Sequence, residues 1–523
     1  MNEELDKDKI PSEELDINNG AVTAAPSTNE IVKGFTLSDE QQHVVDRIKD
    51  FFDGPFDKDC NCATLSGAAG TGKSLAMVAV VNHLQRNKVK YAIAAPTHKA
   101  KYVISEYTGK AAFTLHAMFG LRPNLDIENF SWSDVKFNLE EKVKEMERQE
   151  RYGSVFNKKD NGVFIPIRGA LIVDECSMIN KAFFDFLRKA SVLAKTKILF
   201  IGDECQLQPV KAEDKSPCFK EENSVQMKLT KLFRQQGESA VVPVLDKLRL
   251  RPILEFKPAM SDKGSLFVMD DLVGFIKPYM EIIRKAMPSQ DTDAVKIIAF
   301  TNEIVNKFNR NVRVGLFKDK AVSNKFLKGD FLVGFENFRF GEFNFFNSSD
   351  YIVVNEPFHQ YITVPFMTVP FDAYMVKLKS KCDGWETVIP IVSVEENDSA
   401  LILKYAYMLE DMRKRASEAK KNKNGNAAKH FWSCYYSMLQ AFAVDSDICI
   451  GEQVVKKKTF NYGYAITTYK SQGSSYGTVF VDLDNLAKVD ESEKFRQHEY
   501  VALSRTRGNV YLLNQKPIFR LNE

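Results

Sequence analysis

From Phe35 onward, short apolar runs rich in Val, Ile and Leu alternate with stretches in which apolar residues recur every three to four positions. An unbroken apolar run bounded by polar turns is the pattern of a strand buried on both faces, and the amphipathic stretches between such runs supply the helices that cover it. Two sets of strands are predicted on this basis. The first comprises 63–66, 91–95, 170–173 and 197–201, and the second 295–300, 478–482 and 509–513. Alternation of strand and helix makes each set a parallel α/β sheet.

Two stretches break the rhythm. Residues 121–168 carry a Glu- and Lys-rich helical run over 138–151, a Gly/Asn/Lys turn region and then Val163, Phe164, Ile165 and Pro166, which read as a helix plus a hairpin. Residues 328–455 open with short strand-like runs, turn helical over 405–423, reverse at 424–426 and run helical again over 429–442. A chain of 523 residues exceeds a single core, at roughly 150 residues per domain. The expected division is an acidic, disordered tail over 1–33 and a first α/β unit over 34–120 and 169–245, split by an insertion over 121–168. A second unit over 246–327 and 455–523 is split by an insertion over 328–454.

Candidate chemistry sits where predicted strands end. Gly67-Ala-Ala-Gly-Thr-Gly-Lys-Ser74 lies between a strand and a helical pattern, the context in which glycines turn backbone N–H groups inward around phosphate oxygens. Gly67, Gly70, Thr71 and Gly72 are expected to form that cradle, Lys73 to neutralise phosphate charge and Ser74 to ligate Mg²⁺. The strand 170–173 empties into Asp174 and Glu175, placed to hold Mg²⁺ and to polarise a water. The strand 197–201 empties into Gly202-Asp-Glu-Cys-Gln206, where the Gln206 amide can bond the terminal phosphate or the attacking water.

Taken in order, these segments resemble the motifs of superfamily 1 helicases, and the similarity runs from about residue 35 to the C-terminus. Leu37-Ser-Asp-Glu-Gln41 resembles the motif whose Gln reads adenine; Ala94-Ala-Pro-Thr-His-Lys-Ala100 and Thr114-Leu-His116 resemble strand-contacting motifs. Leu229-Thr-Lys-Leu-Phe-Arg-Gln235 resembles the segment with a first arginine finger, Arg234, and Tyr500-Val-Ala-Leu-Ser-Arg-Thr-Arg-Gly508 one with a second, Arg505. Ala299-Phe-Thr-Asn302 and Tyr464-Ala-Ile-Thr-Thr-Tyr-Lys-Ser-Gln-Gly473 resemble elements of the second motor half. The wording around Pro96, the compact first insertion and Phe345-Phe-Asn-Ser-Ser-Asp350 are similar to the RecD/Dda-like, 5′-to-3′ group; Tyr469 departs from it, standing where that group carries His.

The resemblance implies two RecA-like phosphate-loop domains, a small wedge insertion in the first and an SH3-like β-barrel with a helical excursion in the second. It implies ATP and Mg²⁺ as cofactors, with Gln41 and Gly473 joining the nucleotide site. It further implies strand contacts from Pro96, Thr97, His98, Thr114, His116, Thr301, Asn302, Thr467 and Lys470. Groups of this kind hold phosphates more than base edges, so single-stranded and forked duplex DNA are the expected partners and RNA stays open. Trp132, Phe137, Phe156 and Phe164 are the wedge candidates. A translocase that strips proteins from single strands shares the same motor, and a nucleic-acid scaffold with a weak ATPase is a further alternative, against which the intact catalytic set speaks.

Charge modifies this picture in one respect. The net charge of +3 conceals eight acidic residues against three lysines over 1–33, so that segment stands at −5 and the remainder at +8, a balance suited to a polyanion. Basic runs at 413–423 and 456–458 are candidates for that contact; the first reads equally well as a solvated helix face, and the second leans towards DNA. Eight scattered cysteines form no metal-ligand spacing and fit a reducing compartment. No run is long and apolar enough to span a bilayer, so a cytoplasmic (nucleoid-associated) or, in a eukaryote, nuclear location is expected, with no membrane and with replication or recombination proteins as partners.

Overall fold

The computed structural model describes residues 29–119, 121, 130–135, 137–151, 165–208, 215–220, 224–231 and 239–515. Its first sheet has six parallel strands in the order Ala112–Thr114, Tyr91–Ala95, Ala170–Val173, Lys197–Gly202, Cys62–Gly67 and Ser224–Leu229. Helices on both faces bury it, which is why Ala170–Val173 and Lys197–Gly202 are buried at every position. Register aligns Ser66 with Gly202, and Val173 with both Ala94 and Phe200, so the loops that follow these strands leave the sheet along one edge. That carboxyl edge is where open α/β sheets place ligands.

The second sheet has five parallel strands in the order Ala465–Thr467, Val295–Ala299, Thr478–Asp482, Val510–Leu513 and Leu266–Met269. Between Val295–Ala299 and Ala465–Thr467 the chain builds a seven-stranded sheet, all antiparallel except the pairing of Glu386–Val392 with Ala443–Val444. Helices Ser399–Lys421 and Gly425–Leu439 pack against each other beside it, with Tyr405, Leu409, Met438 and Phe442 in a shared core. Among the described residues no helix is long and apolar enough to cross a membrane.

Several expected boundaries move. The tail expected over 1–33 ends earlier: Ile31–Val32 pairs with Phe35–Thr36, Val32 is buried, and Glu30 bonds Lys49 and Arg86 at 2.7 Å each. Helix Val242–Leu250 straddles the expected limit at 245 and packs Leu245 and Leu248 with Phe495 and Tyr500 of the second unit. Phe460–Tyr462 lies beyond the expected limit at 454, yet its backbone pairs with Phe331–Gly334 and closes that flank of the seven-stranded sheet. The helical excursion begins at Ser399, capped by the Asp398 carboxylate, because Leu401 and Ile402 already face the core.

Local sequence also understated the sheets. Ala112–Thr114, Ser224–Leu229, Leu266–Met269 and Ala465–Thr467 are sheet strands that hydropathy did not predict, being short or interrupted by polar residues.

Candidate nucleotide and strand-binding site

Helix Lys73–Arg86 starts directly from the glycine loop, and its N-cap, Gly72, supplies no side-chain acceptor. The first N–H groups of the helix therefore keep their donors for a ligand, and the helix dipole favours an anion there. Gly72 has φ +90°, and a Cβ on it would lie 2.1 Å from the Gln41 amide nitrogen. A Cβ on Gly67 would meet Thr71 Oγ1 at 2.7 Å and the Leu229 carbonyl at 2.9 Å. Lys73 folds over the loop, donating to the carbonyls of Gly67 and Ala68 at 2.7 and 2.9 Å. Gln41 is engaged at both ends: its oxygen accepts the Ser38 N–H of a capping box and its amide donates to the Thr71 carbonyl at 3.0 Å. Ser74 is exposed at the mouth of the loop.

Two strands over, Asp174 is half-buried and accepts the Glu175 N–H at 2.9 Å, while Glu175 takes a left-handed backbone conformation at φ 53°. Burial, and then the Glu175 charge, push the Asp174 carboxyl up to about 7. Gln206 is buried, and its side-chain oxygen has no partner among the described residues.

These residues suit a magnesium nucleotide. The loop offers uncapped donors with no room for a Cβ at Gly67 or Gly72, and the Asp174–Glu175 pair has a deficit of positive charge that a divalent cation relieves. Among the described residues no group of three or more His, Cys, Asp or Glu could hold a metal by itself.

The second unit reaches this site through a residue not expected to do so. Tyr500, on helix Ser492–Ser504, donates its hydroxyl to Asp203 Oδ2 at 2.6 Å and accepts the Ala69 N–H at 3.4 Å. Asp203 follows strand Lys197–Gly202, and Ala69 lies in the glycine loop, so one phenol joins both halves at the nucleotide edge. Arg505 is buried on its own side, bonded to the carbonyls of Val501 and Ser474 and to Ser504 Oγ. Gly473 takes φ +70°, and a Cβ there would stand 3.7 Å from Ala100 of the first unit.

The four threonines of the strand-contacting segments share one local role. Thr114 and Thr467 end a strand, Thr97 and Thr301 lie two residues past one, and each accepts a backbone N–H from three residues on, as a helix N-cap. Their hydroxyls thus set helix starts along the carboxyl edges of the two sheets, and Asn485 fixes Thr301 further by accepting its N–H at 2.9 Å. Asn302 is exposed, Pro96 is buried and His116 half-buried. His98 stacks on Phe346, centroids 3.5 Å apart at 16°, and burial holds its imidazole down to about 3. Lys470 donates to Asn347 at 2.6 Å, and burial holds its ammonium down to about 8.

Comparison with known proteins agrees with this layout. Residues 58–212 match a family model described as an AAA domain, and residues 462–513 match the UvrD-like helicase C-terminal domain. The first match covers the glycine loop, Asp174, Glu175 and Gln206; the second covers Lys470, Tyr500 and Arg505. The chain is similar to helicases of the RecD/Dda-like superfamily 1 group. It is 25% identical over 283 residues to the ATP-dependent DNA helicase dda of Enterobacteria phage T4, covering 52% of this chain and 55% of that protein. It is 27% identical over 206 residues to the ATP-dependent RecD2 DNA helicase of Deinococcus radiodurans, covering 39% and 23%. The chain thus spans about half the length of the first of these relatives and less of the second. A Pif1 helicase from Bacteroides in complex with ADP-AlF3 and ssDNA superposes with TM-score 0.46 at 17% identity, over 93% of this chain and 95% of that one.

Several expected contacts are absorbed by the protein itself. Lys456, expected to face nucleic acid, is buried and donates to the carbonyls of Leu439 and Phe442 beneath the helical pair. Lys458 bonds Asn461, and Lys457 lies 3.7 Å from Glu336. In the excursion, Arg413 pairs with the buried Glu410 and Arg415 with Asp411, each within the same helix. Trp132 is 45% exposed and meets Phe186 edge-on, whereas Phe137 packs against the first unit's core. Arg234, Phe156 and Phe164 lie outside the described residues.

Proposed function

We propose that this chain is an ATP-dependent DNA helicase that moves on single-stranded DNA in the 5′-to-3′ direction and separates forked duplexes. The observation that carries the reading is the Tyr500 hydroxyl, which ties the second unit to the glycine loop and to Asp203 at the one edge where Lys73, Asp174, Glu175 and Gln206 also lie. A site completed by two α/β units couples events at the phosphate to their separation.

Lys73 and the uncapped amides of the loop would hold the phosphates, with Ser74 and Asp174 holding Mg²⁺. ATP, when bound, supplies the phosphoanhydride whose hydrolysis drives the cycle. Glu175 accepts a proton from water at its carboxylate while Gln206 orients that water through its free oxygen. Arg505 exchanges its carbonyl partners for phosphate charge as the halves close, the role in which an arginine is worth on the order of 10³–10⁵ in rate. Arg234 is assigned the companion role from its motif. Strand phosphates meet the helix starts capped by Thr97, Thr114, Thr301 and Thr467, flanked by Pro96, His116 and Asn302. The seven-stranded sheet with its helical pair is read as the SH3-like insertion that guides the strand.

The reading is tested with forked duplexes bearing a 5′ or a 3′ tail. Unwinding of the 5′-tailed fork is expected, lost in Lys73→Ala and in Glu175→Gln, the latter still binding nucleotide. Hydrolysis near the wild-type rate in either variant would remove the assignment.

A further inference from the structure

Two of the residues placed on the strand path, His98 and Lys470, come from opposite motor halves, yet both are held by the same short turn of the inserted sheet. Phe346 covers the His98 ring at 3.5 Å, nearly parallel to it. Its neighbour Asn347 accepts from Lys470 Nζ at 2.6 Å, and the same ammonium sits 4.1 Å from the centre of the Phe335 ring. Three residues on, Asp350 takes Lys99 of the first half at 2.9 Å and Lys296 of the second at 3.5 Å, all three side chains being largely buried.

The turn is built to stay in shape. The Gly334 N–H donates to the Ser349 carbonyl, the Ser348 N–H donates to the Gly334 carbonyl, and the Phe346 N–H donates to Tyr351 Oη at 2.7 Å. A Cβ on Gly334 would lie 2.1 Å from the Phe346 carbonyl, so the close approach requires glycine. Phe346 and Asn347 are nonetheless half-buried and exposed, respectively, at the tip of this rigid base.

We propose that the turn 346–350 is a strand-responsive clasp. Asp350 anchors it to both motor halves, while Phe346 and Asn347 occupy the His98 ring face and the Lys470 ammonium until a single strand takes their place. The chemistry of the exchange is matched: a nucleobase replaces a phenyl ring against imidazole, and a phosphate oxygen replaces an amide oxygen on the ammonium. Phe346 and Asn347 are thus positioning residues that set the affinity of the nucleic-acid-free protein. The inference rests on the helicase reading, because it takes His98 and Lys470 as strand contacts.

Fluorescence anisotropy of a labelled oligothymidylate tests it on the full chain, with thermal melts confirming that the variants fold. Phe346→Ala and Asn347→Ala should each bind more tightly than wild type, by about two- to tenfold, since an aromatic pair or an ammonium–amide hydrogen bond no longer has to be broken. A merely structural role would weaken binding instead. Wild-type binding with unchanged or weaker binding in both variants overturns the clasp alone. Wild-type protein that binds no strand overturns the clasp together with the helicase reading.

Discussion

Tyr500→Phe removes one oxygen atom and nothing else from the contact between the two halves. The phenol is 1% exposed and its hydroxyl lies 2.6 Å from the Asp203 carboxylate, itself 0% exposed; burial, and then the Asp203 charge, push the phenol up, so it keeps its proton and donates. A short O–H···O⁻ bond of this type contributes about 1.5–3 kcal/mol, and its loss leaves Asp203 Oδ2 desolvated. Asp203 retains the Cys205 N–H on its other oxygen, so the loop after strand Lys197–Gly202 should keep its shape. The penalty therefore falls on bringing the halves together, shifting that equilibrium by roughly 10- to 150-fold. The assay is strand-stimulated ATP hydrolysis: kcat should drop by about that factor while nucleotide affinity, set by the glycine loop, changes far less. Asp203→Asn should follow the same direction with a smaller drop, since the amide oxygen still accepts. A kcat within twofold of wild type for Tyr500→Phe would refute the reasoning and make the phenol a packing group.

Further outcomes follow from individual contacts. Because burial holds Lys470 down to about 8, its charge is present at pH 7 and lost by pH 9; strand affinity should fall across that interval, and Lys470→Met should flatten the profile in anisotropy titrations. Gly72→Ala must place a Cβ at φ +90° and 2.1 Å from the Gln41 amide; a left-handed backbone costs roughly 1–2 kcal/mol for such a residue, and nucleotide affinity measured by calorimetry should fall at least tenfold. Deleting residues 1–33 should lower stability by about 1.5–3 kcal/mol more than deleting residues 1–28, since only the longer cut removes buried Val32; equal denaturant midpoints would show that the hairpin carries no stability.

What the sequence determined by itself is what depends on neighbours in the chain. The glycine loop between strand Cys62–Gly67 and helix Lys73–Arg86 was legible because its backbone needs glycine at fixed offsets, and a buried parallel strand such as Ala170–Val173 shows its apolar run directly. Asp174, Glu175 and Gln206 could be singled out because each follows such a strand. The resemblance of the ordered motifs then tied the segments to one site. Hydropathy reports only how much of a residue's surroundings is apolar, so it lost the short strands, and it assigned Lys456 to the surface when its ammonium closes off carbonyls under the helical pair.

Which polar groups meet was decided by tertiary structure alone. Tyr500 and Asp203 stand 297 positions apart and Lys99 and Asp350 stand 251 apart, so nothing in either local pattern specifies the other. Such pairs exist because two parallel sheets and an inserted antiparallel one present particular edges to each other. A buried donor or acceptor must then find whichever partner that packing delivers.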